Sequence, residues 1–370
     1  MKFSSFLYLG LLGLLFTTSA CGDDDDGGTP MLTVPTEYVS ANFAANVTDE
    51  RTVITELSTM TAAANAAEAA ADMGGVAPIP YPATLRSVTV SNYATLVDGW
   101  LVELVKAANS PDGFQTPPMG MSPAADQEGG LLGSRLLDEN GLELEQMVQK
   151  GSFGAACYNH AVNVIENGDL TDPGTIDKLV EIHGTEVNFD VEETTAAATY
   201  SRRRSDLTAQ TGFFFDIRNS LLTAKAAIEG GRDFDSRRDE ALNDYLEAWE
   251  KSNYATVIFY ANAARNGILE AANQTGDEQA ATLGNAMHAY AEGVGFAHGF
   301  RNIDRKMMTN AQIDAVLALL QAPAGATPQS HRFLTEPDLL DDLQTIITTI
   351  QGVYGFTDAE VQSFFINNNP

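Results

Sequence analysis

The sequence predicts an all-α protein built from helical bundles. Apolar residues recur at helical spacing along most of the chain, as in the stripe formed by Val53, Leu57 and Met60. Stretches with the alternation typical of strands are scarce, and no short repeat indicates a solenoid. Helices that carry one apolar face and are joined by short connections favour bundles with up-and-down connections.

The predicted helices follow one another with short breaks. They cover residues 49–72, 91–108, 142–166, 174–189, 194–229, 235–273, 277–305, 309–320, 336–350 and 357–366. Gly230 and Gly231 predict a joint between two of them, and Thr357 with Glu360 three residues on predicts a capping box. Residues 110–139 are rich in glycine and proline and lack periodicity, which is typical of a long functional loop.

The N-terminus predicts an exported lipoprotein. Residues 1–20 combine a basic start at Lys2, an apolar run over residues 6–16 and a small-residue stretch before Cys21, the layout of a bacterial secretory signal. The apolar run is shorter than the ~20 residues that cross a bilayer as a helix. Cys21 is expected to be the acylated N-terminus of the mature chain. An ordinary signal peptide with a nearby cysteine is the alternative.

Residues 21–34 predict a flexible acidic tether, and residues 35–370 predict the helical domain. Four consecutive aspartates at residues 23–26, flanked by glycines, cannot bury apolar surface. A calcium site is disfavoured there because calcium loops hold about six or more oxygens at a defined spacing. Acyl chains would hold the domain at a membrane of the cell envelope. Gly22 after Cys21 favours the outer membrane.

The net charge limits which partners the chain can bind, and the cysteine content limits which thiol chemistry it can perform. The chain carries 50 acidic and 21 basic residues, a net charge of −29, which repels phosphate backbones and disfavours nucleic acid as a partner. Cys157, the second cysteine, lies in an apolar helical segment and is predicted to pack as a small hydrophobic residue. A nucleophilic thiol would need a basic partner such as His160, three residues on.

Two pairs of polar residues are candidate metal ligands. His183 and Glu186 are three residues apart, and His288 and Glu292 are four apart, so each pair is predicted to share a helix face. Imidazole and carboxylate groups at such spacing can ligate a divalent metal ion. If the two helices pack together, the four side chains form one site. Structural pairs that satisfy each other's hydrogen bonds are the alternative.

Three further polar or basic residues are candidates for ligand binding: Gln146, Lys150 and Arg202. Gln146 and Lys150 share a helix face and are predicted either to point into a ligand-binding groove or to form an exposed stabilising row. Arg202 begins the basic run 202–204, predicted either to bind an anionic ligand or to neutralise the acidic surface. The chain lacks the zinc-protease, nucleophile-elbow, phosphate-loop and Cys-x-x-Cys motifs, which argues against conventional hydrolase or nucleotide chemistry.

Three blocks resemble an uncharacterised bacterial lipoprotein family, domain of unknown function 4856. The first reads Gly-Leu-Leu-Gly at residues 130–133 and Asn-Gly-Leu-Glu at residues 140–143, and continues through Gln146 and Lys150. The second reads Trp-Glu-Lys-Ser at residues 249–252. The third contains His288 and Glu292, with Tyr290 and Ala291 where the family has Trp and Asp. Residues 35–57 are similar too, so the likeness covers most of the mature chain.

That family is in turn similar to imelysin-like proteins, all-helical lipoproteins of two packed bundles that are linked to iron uptake. Their signature is Gly-x-His-x-x-Glu, which His183 and Glu186 match, while Glu181 replaces the glycine. The resemblance implies a non-catalytic, membrane-anchored protein that binds iron, another divalent metal ion or a metal-bearing ligand such as haem. A structural or protein-interaction lipoprotein of the envelope is the alternative, and a metal-dependent peptidase is the third.

Overall fold

Helices make up nearly all the regular structure in residues 31–71 and 73–368, which this computed structural model describes. The all-α class and its helical-bundle architecture are therefore confirmed. The predicted signal peptide, Cys21 and residues 22–30 of the predicted tether lie outside the described residues. None of the described helices has the length and apolar character needed to cross a membrane.

The first half of the domain contains seven helices and a β-hairpin within the described residues. The helices are α1 Phe43–Asn46, α2 Thr48–Ala69, α3 Ala83–Val88, α4 Ser91–Ala108, α5 Leu144–Ser152, α6 Asn159–Asn167 and α7 Gly174–His183. A π-helical segment, Phe153–Tyr158, joins α5 to α6 without a break. Inside the long loop, β1 Gly130–Leu132 pairs antiparallel with β2 Arg135–Leu137.

The second half begins with a short helix and a second small hairpin. The helices are α8 Ala196–Arg203, α9 Phe213–Gly230, α10 Asp235–Ala271, α11 Gly276–Gly299, α12 Asn310–Leu319, α13 Leu340–Tyr354 and α14 Asp358–Phe364. Between α8 and α9, β3 Ser205–Asp206 pairs with β4 Thr211–Gly212. The predicted joint is present, since Gly231 has a φ of 89°. The Thr357 capping box is also confirmed.

Three predicted helices are wrong in extent. The one predicted over residues 277–305 ends at Gly299, and the other two are shortened or interrupted because the backbone turns left-handed. The predicted helix over residues 174–189 ends at His183, where Gly184 has a φ of 101° and leaves no room for a Cβ beside Thr195. The predicted helix over residues 194–229 is interrupted by the β3–β4 hairpin, where Gln210 has a φ of 54° and Gly212 one of 98°. The side chains that follow each break therefore do not lie on the helix face predicted for a continuous helix.

Glycines bring α5 and α11 into backbone contact. A Cβ on Gly295 would lie 2.8 Å from the carbonyl oxygen of Gln146, and one on Gly299 would lie 2.2 Å from that of Gly151. Only glycine permits such an approach, so the side chains on either side of the crossing are held close together. α11 also packs along α10, and α10 along α9. The buried apolar side chains form one continuous cluster, so the bundles share a single core.

A buried carboxylate fixes the N-terminal segment to this core. Asp177 on α7 is fully buried and accepts hydrogen bonds from Tyr38 Oη and Ser40 Oγ at 2.6 Å each, and from Asn46 Nδ2 at 2.7 Å. Lys225 on α9 places its Nζ 3.2 Å from the same carboxylate. A buried charge with this many donors is satisfied, whereas removing one partner leaves the other charge uncompensated.

Candidate functional site

His288 bridges two carboxylates at the α5–α11 crossing. Its Nδ1 lies 2.8 Å from Oε2 and 3.0 Å from Oε1 of Glu143, the residue that immediately precedes α5. Its Nε2 lies 3.6 Å from Glu292 Oε2, one turn further along α11. His288 and Glu292 therefore do share one helix face. Burial lowers the pKa of His288, but Glu143 and Glu292 outweigh burial and raise this pKa above its ordinary value.

Lys150 places a second positive charge inside the crossing. Its Nζ lies 3.2 Å from Glu292 Oε1 and 5.4 Å from the centre of the Tyr200 ring, and it donates a hydrogen bond to Gln149 Oε1. Burial lowers the pKa of Lys150, but Tyr200, Glu292 and Glu145 outweigh burial and raise the pKa above its ordinary value. The ammonium group is thus held in its charged form by its surroundings.

Glu145 and Gln146 complete the interior of the network. Gln146 Nε2 donates to Glu145 Oε2 and lies 3.5 Å from Glu143 Oε1, while Gln146 Oε1 is buried without a hydrogen-bond partner among the described residues. Burial raises the pKa of Glu145 to about 7, an effect that Lys150 opposes and Glu143 strengthens. Since Gln146 and Lys150 are both buried, they do not form the exposed row that was one of the two sequence-based alternatives.

The network reaches solvent at its outer end. Burial and the adjacent Glu143 carboxylate raise the pKa of Glu68 on α2 to about 7. Arg135 on β2 lies 3.8 Å from Glu68 Oε1 through its Nη1, and its Nε donates to Asn285 Oδ1 at 3.3 Å. The His288 side chain is 23% exposed and that of Arg135 is 28% exposed. A small cation could approach the carboxylates from this side.

Acidic groups outnumber basic groups in the network. Its four carboxyl groups face one ammonium, one imidazole and one guanidinium group; these residues are Glu68, Glu143, Glu145, Glu292, Lys150, His288 and Arg135. Two of the carboxyl groups take up protons near neutral pH because burial and the neighbouring carboxylate disfavour their charged forms. With all four carboxyl groups ionised and all three basic groups charged, the network would carry one net negative charge, which a proton or a metal cation would neutralise.

His183 lies in a separate, apolar environment. Its Nε2 is 3.1 Å from Ser201 Oγ, and its ring centre is 4.8 Å from that of Trp249. Burial lowers the pKa of His183 to about 3, so the ring is neutral at physiological pH. Glu186 is exposed beyond the end of α7. The prediction that these two residues share a helix face is wrong, because the left-handed Gly184 ends the helix between them.

The four predicted metal ligands are therefore not brought together as one set. His183 contacts Ser201 and Trp249, whereas His288 contacts Glu143 and Glu292. In residues 31–71 and 73–368, no three His, Cys, Asp or Glu side chains are already arranged to hold a metal ion. Metal binding at the crossing would thus require its side chains to exchange their present partners.

The remaining candidates have intramolecular contacts. Arg202 is buried at the end of α8 and donates to the carbonyl oxygen of Val191 at 2.6 Å. Cys157 is fully buried in the π-helical segment, and burial raises the pKa of its thiol to about 12. His160 is paired with Glu50 at 3.0 Å. The prediction that Cys157 is a packing residue is therefore confirmed.

The sequence interpretation missed three members of the network. Glu68 is the single acidic residue in the alanine-rich run 62–71, and a lone carboxylate in such a run is a signal that could have identified it. Glu145 and Arg135 carry no comparable signal, because their burial depends on how the β1–β2 hairpin and α5 pack against distant helices.

Comparison with known proteins identified no relative of this chain. No family model matches the chain, and no curated protein or solved structure matches it either. The resemblance to the lipoprotein family and to imelysin-like proteins thus stays a prediction, and function has to be argued from the residues and their geometry.

Proposed function

We propose that this chain is a non-catalytic binding protein of the cell envelope that takes up a divalent metal ion at the α5–α11 crossing. The observation that carries the proposal is the excess of carboxyl groups over basic groups around His288, four against three, with three of the four carboxyl groups buried. Glu143, Glu292 and His288 are the proposed ligands. Carboxylate and imidazole groups together suit iron(II), manganese(II) and zinc(II).

Binding would involve a defined exchange of partners. His288 would have to give up the proton that its two carboxylate neighbours stabilise, because only the neutral imidazole ligates a metal ion. Glu292 would have to exchange its contact with the Lys150 ammonium, 3.2 Å away, for the metal ion. The added positive charge also favours the ionised form of Glu145, whose pKa burial has raised to about 7. Metal binding should therefore release protons and become tighter as the pH rises.

The proposed location depends on the sequence of the N-terminus. Residues 1–20 form the proposed signal peptide, Cys21 the proposed acylation site, and residues 21–34 the spacer that places the domain beside the membrane. Gly22 favours the outer membrane. Labelled palmitate should be incorporated into the wild-type chain in cells and not into Cys21→Ser, and equal labelling of both chains would rule out this anchor.

Isothermal titration calorimetry of the full chain in detergent tests the metal site. Manganese(II), zinc(II) and, without oxygen, iron(II) are titrated at pH 7.5 in two buffers of different ionisation enthalpy. We expect saturable 1:1 binding whose apparent enthalpy depends on the buffer, because protons are released. Glu143→Gln should abolish this binding. The matched control, Glu270→Gln, changes an exposed residue on α10 and should bind as the wild type does.

Two results would contradict the proposal. One is the lack of saturable binding for all three metals. The other is binding that Glu143→Gln leaves unchanged, which would place the metal elsewhere in the chain.

A second candidate function, protein interaction in the envelope, is favoured by the long loop. Met119 and Met121 are 66% and 61% exposed, and they border a cavity of 430 Å³ that His331 and Leu339 also line. Exposed methionines are adaptable contact residues at binding surfaces. Replacing both with glutamate should remove an envelope protein that co-purifies with the wild-type chain, and retention of that protein would argue against this surface.

A further inference from the structure

The contact between Lys150 and Glu292 occupies one side of the proposed metal site. Lys150 Nζ lies 3.2 Å from Glu292 Oε1, and each of the two side chains is 8% exposed. The other oxygen of this carboxylate, Oε2, lies 3.6 Å from Nε2 of His288. Glu292 is therefore both a proposed metal ligand and the counter-ion of a buried ammonium group. A metal cation that reaches Glu292 meets a positive charge that is already in place.

The helix crossing encloses the Lys150 side chain. Lys150 lies on α5 where this helix meets α11, and a Cβ on Gly295 of α11 would lie 3.0 Å from the Cβ of Lys150. The centre of the Tyr200 ring lies 5.4 Å from Lys150 Nζ. Because the start of the side chain is pressed against α11 and its end lies beside an aromatic ring, the ammonium group is held inside the crossing.

A second carboxyl group is available to the ammonium group of Lys150. Burial disfavours the charged form of Lys150, and Glu145, which is itself buried on α5, is among the groups that outweigh burial. A buried charge is strongly destabilising when its partner is removed. If Glu292 turned to a metal ion, Glu145 would still compensate the charge of Lys150, so the exchange would not leave the ammonium group alone.

We propose that Lys150 regulates the metal site as an internal competitor, which occupies Glu292 in the metal-free protein and returns to it when the metal ion leaves. This inference rests on the proposed function, because it concerns the same site. Two cations that share one buried carboxylate repel each other strongly, since the protein interior screens charge less than water does. Lys150 is not a metal ligand, yet its charge lowers the affinity of the site for a metal ion.

Calorimetric titration of the full chain in detergent with manganese(II) at pH 7.5 tests this competition. Methionine is unbranched like lysine but carries no charge, so Lys150→Met should bind manganese(II) about tenfold or more tightly than the wild type does. Metal-free Lys150→Met should be less stable than the wild type, because Glu292 has lost its ammonium partner. Saturating manganese(II) should therefore raise the Tm of this variant by more than it raises the Tm of the wild type.

Two control variants separate the charge of Lys150 from other effects of the substitution. Lys150→Arg keeps the positive charge and should bind manganese(II) no more tightly than the wild type does. Lys251→Met removes a lysine on α10 whose Nζ lies 2.6 Å from Glu247 in a partly exposed ion pair outside the network, and it should bind as the wild type does. Equal tightening by Lys251→Met would show that the loss of any positive charge has this effect, and it would overturn the proposal.

A measurement on the wild type keeps the test independent of whether Lys150→Met folds. NMR of isotope-labelled lysine side chains, during titration with diamagnetic zinc(II), should show a shift of the one signal that is missing from Lys150→Arg. The proposal is overturned if this signal does not move at saturation, or if Lys150→Met binds no more tightly than the wild type while Glu143→Gln abolishes binding. Lack of metal binding by the wild type would instead overturn the metal site itself, and this inference with it.

Discussion

Replacing Glu145 with glutamine isolates the effect of excess negative charge in the α5–α11 network. Burial is the main cause that raises the pKa of Glu145 from its ordinary value of 4.5 to about 7. A carboxyl group whose pKa is higher in the folded chain than in the unfolded chain stabilises the fold only while it is protonated. The stabilisation of the fold by protonated Glu145 is therefore fully present below pH 4.5 and is lost as the pH rises to about 7.

The size of the effect follows from the two pKa values. Each pKa unit corresponds to about 1.4 kcal/mol, so raising the pKa from 4.5 to about 7 corresponds to roughly 3 kcal/mol. Glutamine has nearly the same shape as glutamate and stays neutral at every pH. The free energy of unfolding of Glu145→Gln, relative to that of the wild type, should therefore increase by roughly 3 kcal/mol between pH 4.5 and pH 8.

Urea unfolding followed by circular dichroism at several pH values between 4.5 and 8 measures this difference. Glu270→Gln is the control, because Glu270 is exposed and outside the network. The difference between this control and the wild type should vary little with pH. If the difference between Glu145→Gln and the wild type is also independent of pH, Glu145 is not held near neutrality by burial and the charge argument fails.

Three further predictions concern groups outside this network. Burial lowers the pKa of His183 from 6.5 to about 3, so the wild type should lose stability as the pH falls through this window, and His183→Gln should lose less in acid urea titrations. Cys157 should resist iodoacetamide in the native chain and react once urea unfolds it, as mass spectrometry would record. Asp177→Asn should lower the free energy of unfolding by about 3 kcal/mol or more, because Lys225 is left buried without its carboxylate, and adding Lys225→Met should restore part of the loss.

Each of these predictions has a result that would contradict it. An equally steep loss of stability in acid for His183→Gln would show that this ring is not the group that takes up the proton. Rapid alkylation of native Cys157 would show an accessible thiol. A double variant at Asp177 and Lys225 no more stable than Asp177→Asn would show that the unpaired ammonium is not the cause of the loss.

Local patterns in the sequence were sufficient to predict where most helices lie. Helical periodicity of apolar residues predicted α4 with the bounds that the structure has, Ser91–Ala108. Helix breaks were harder to predict, because Gln210 carries no sequence signal for the left-handed conformation that it adopts. Gly184 does permit that conformation, but an isolated glycine also occurs inside helices, so the end of α7 depends on its contact with Thr195.

The candidate site was only partly predictable for a different reason. Spacing along one helix correctly placed His288 beside Glu292, since both lie on α11. The contact between His288 and Glu143 joins residues 145 positions apart and depends on the glycines at the helix crossing. No periodicity within a single helix contains that information, which is why the sequence suggested His183 and Glu186 as further partners for His288 and Glu292, and not Glu143.

The position of a bound metal ion tests the central proposal most directly. A crystal of the protein grown with manganese(II) at pH 8 would give an anomalous difference map at the manganese absorption edge. We expect one strong peak within coordination distance of the Glu143 and Glu292 carboxylates and the His288 ring. A map with peaks only at the surface, and with His288 still placed between Glu143 and Glu292, would contradict it.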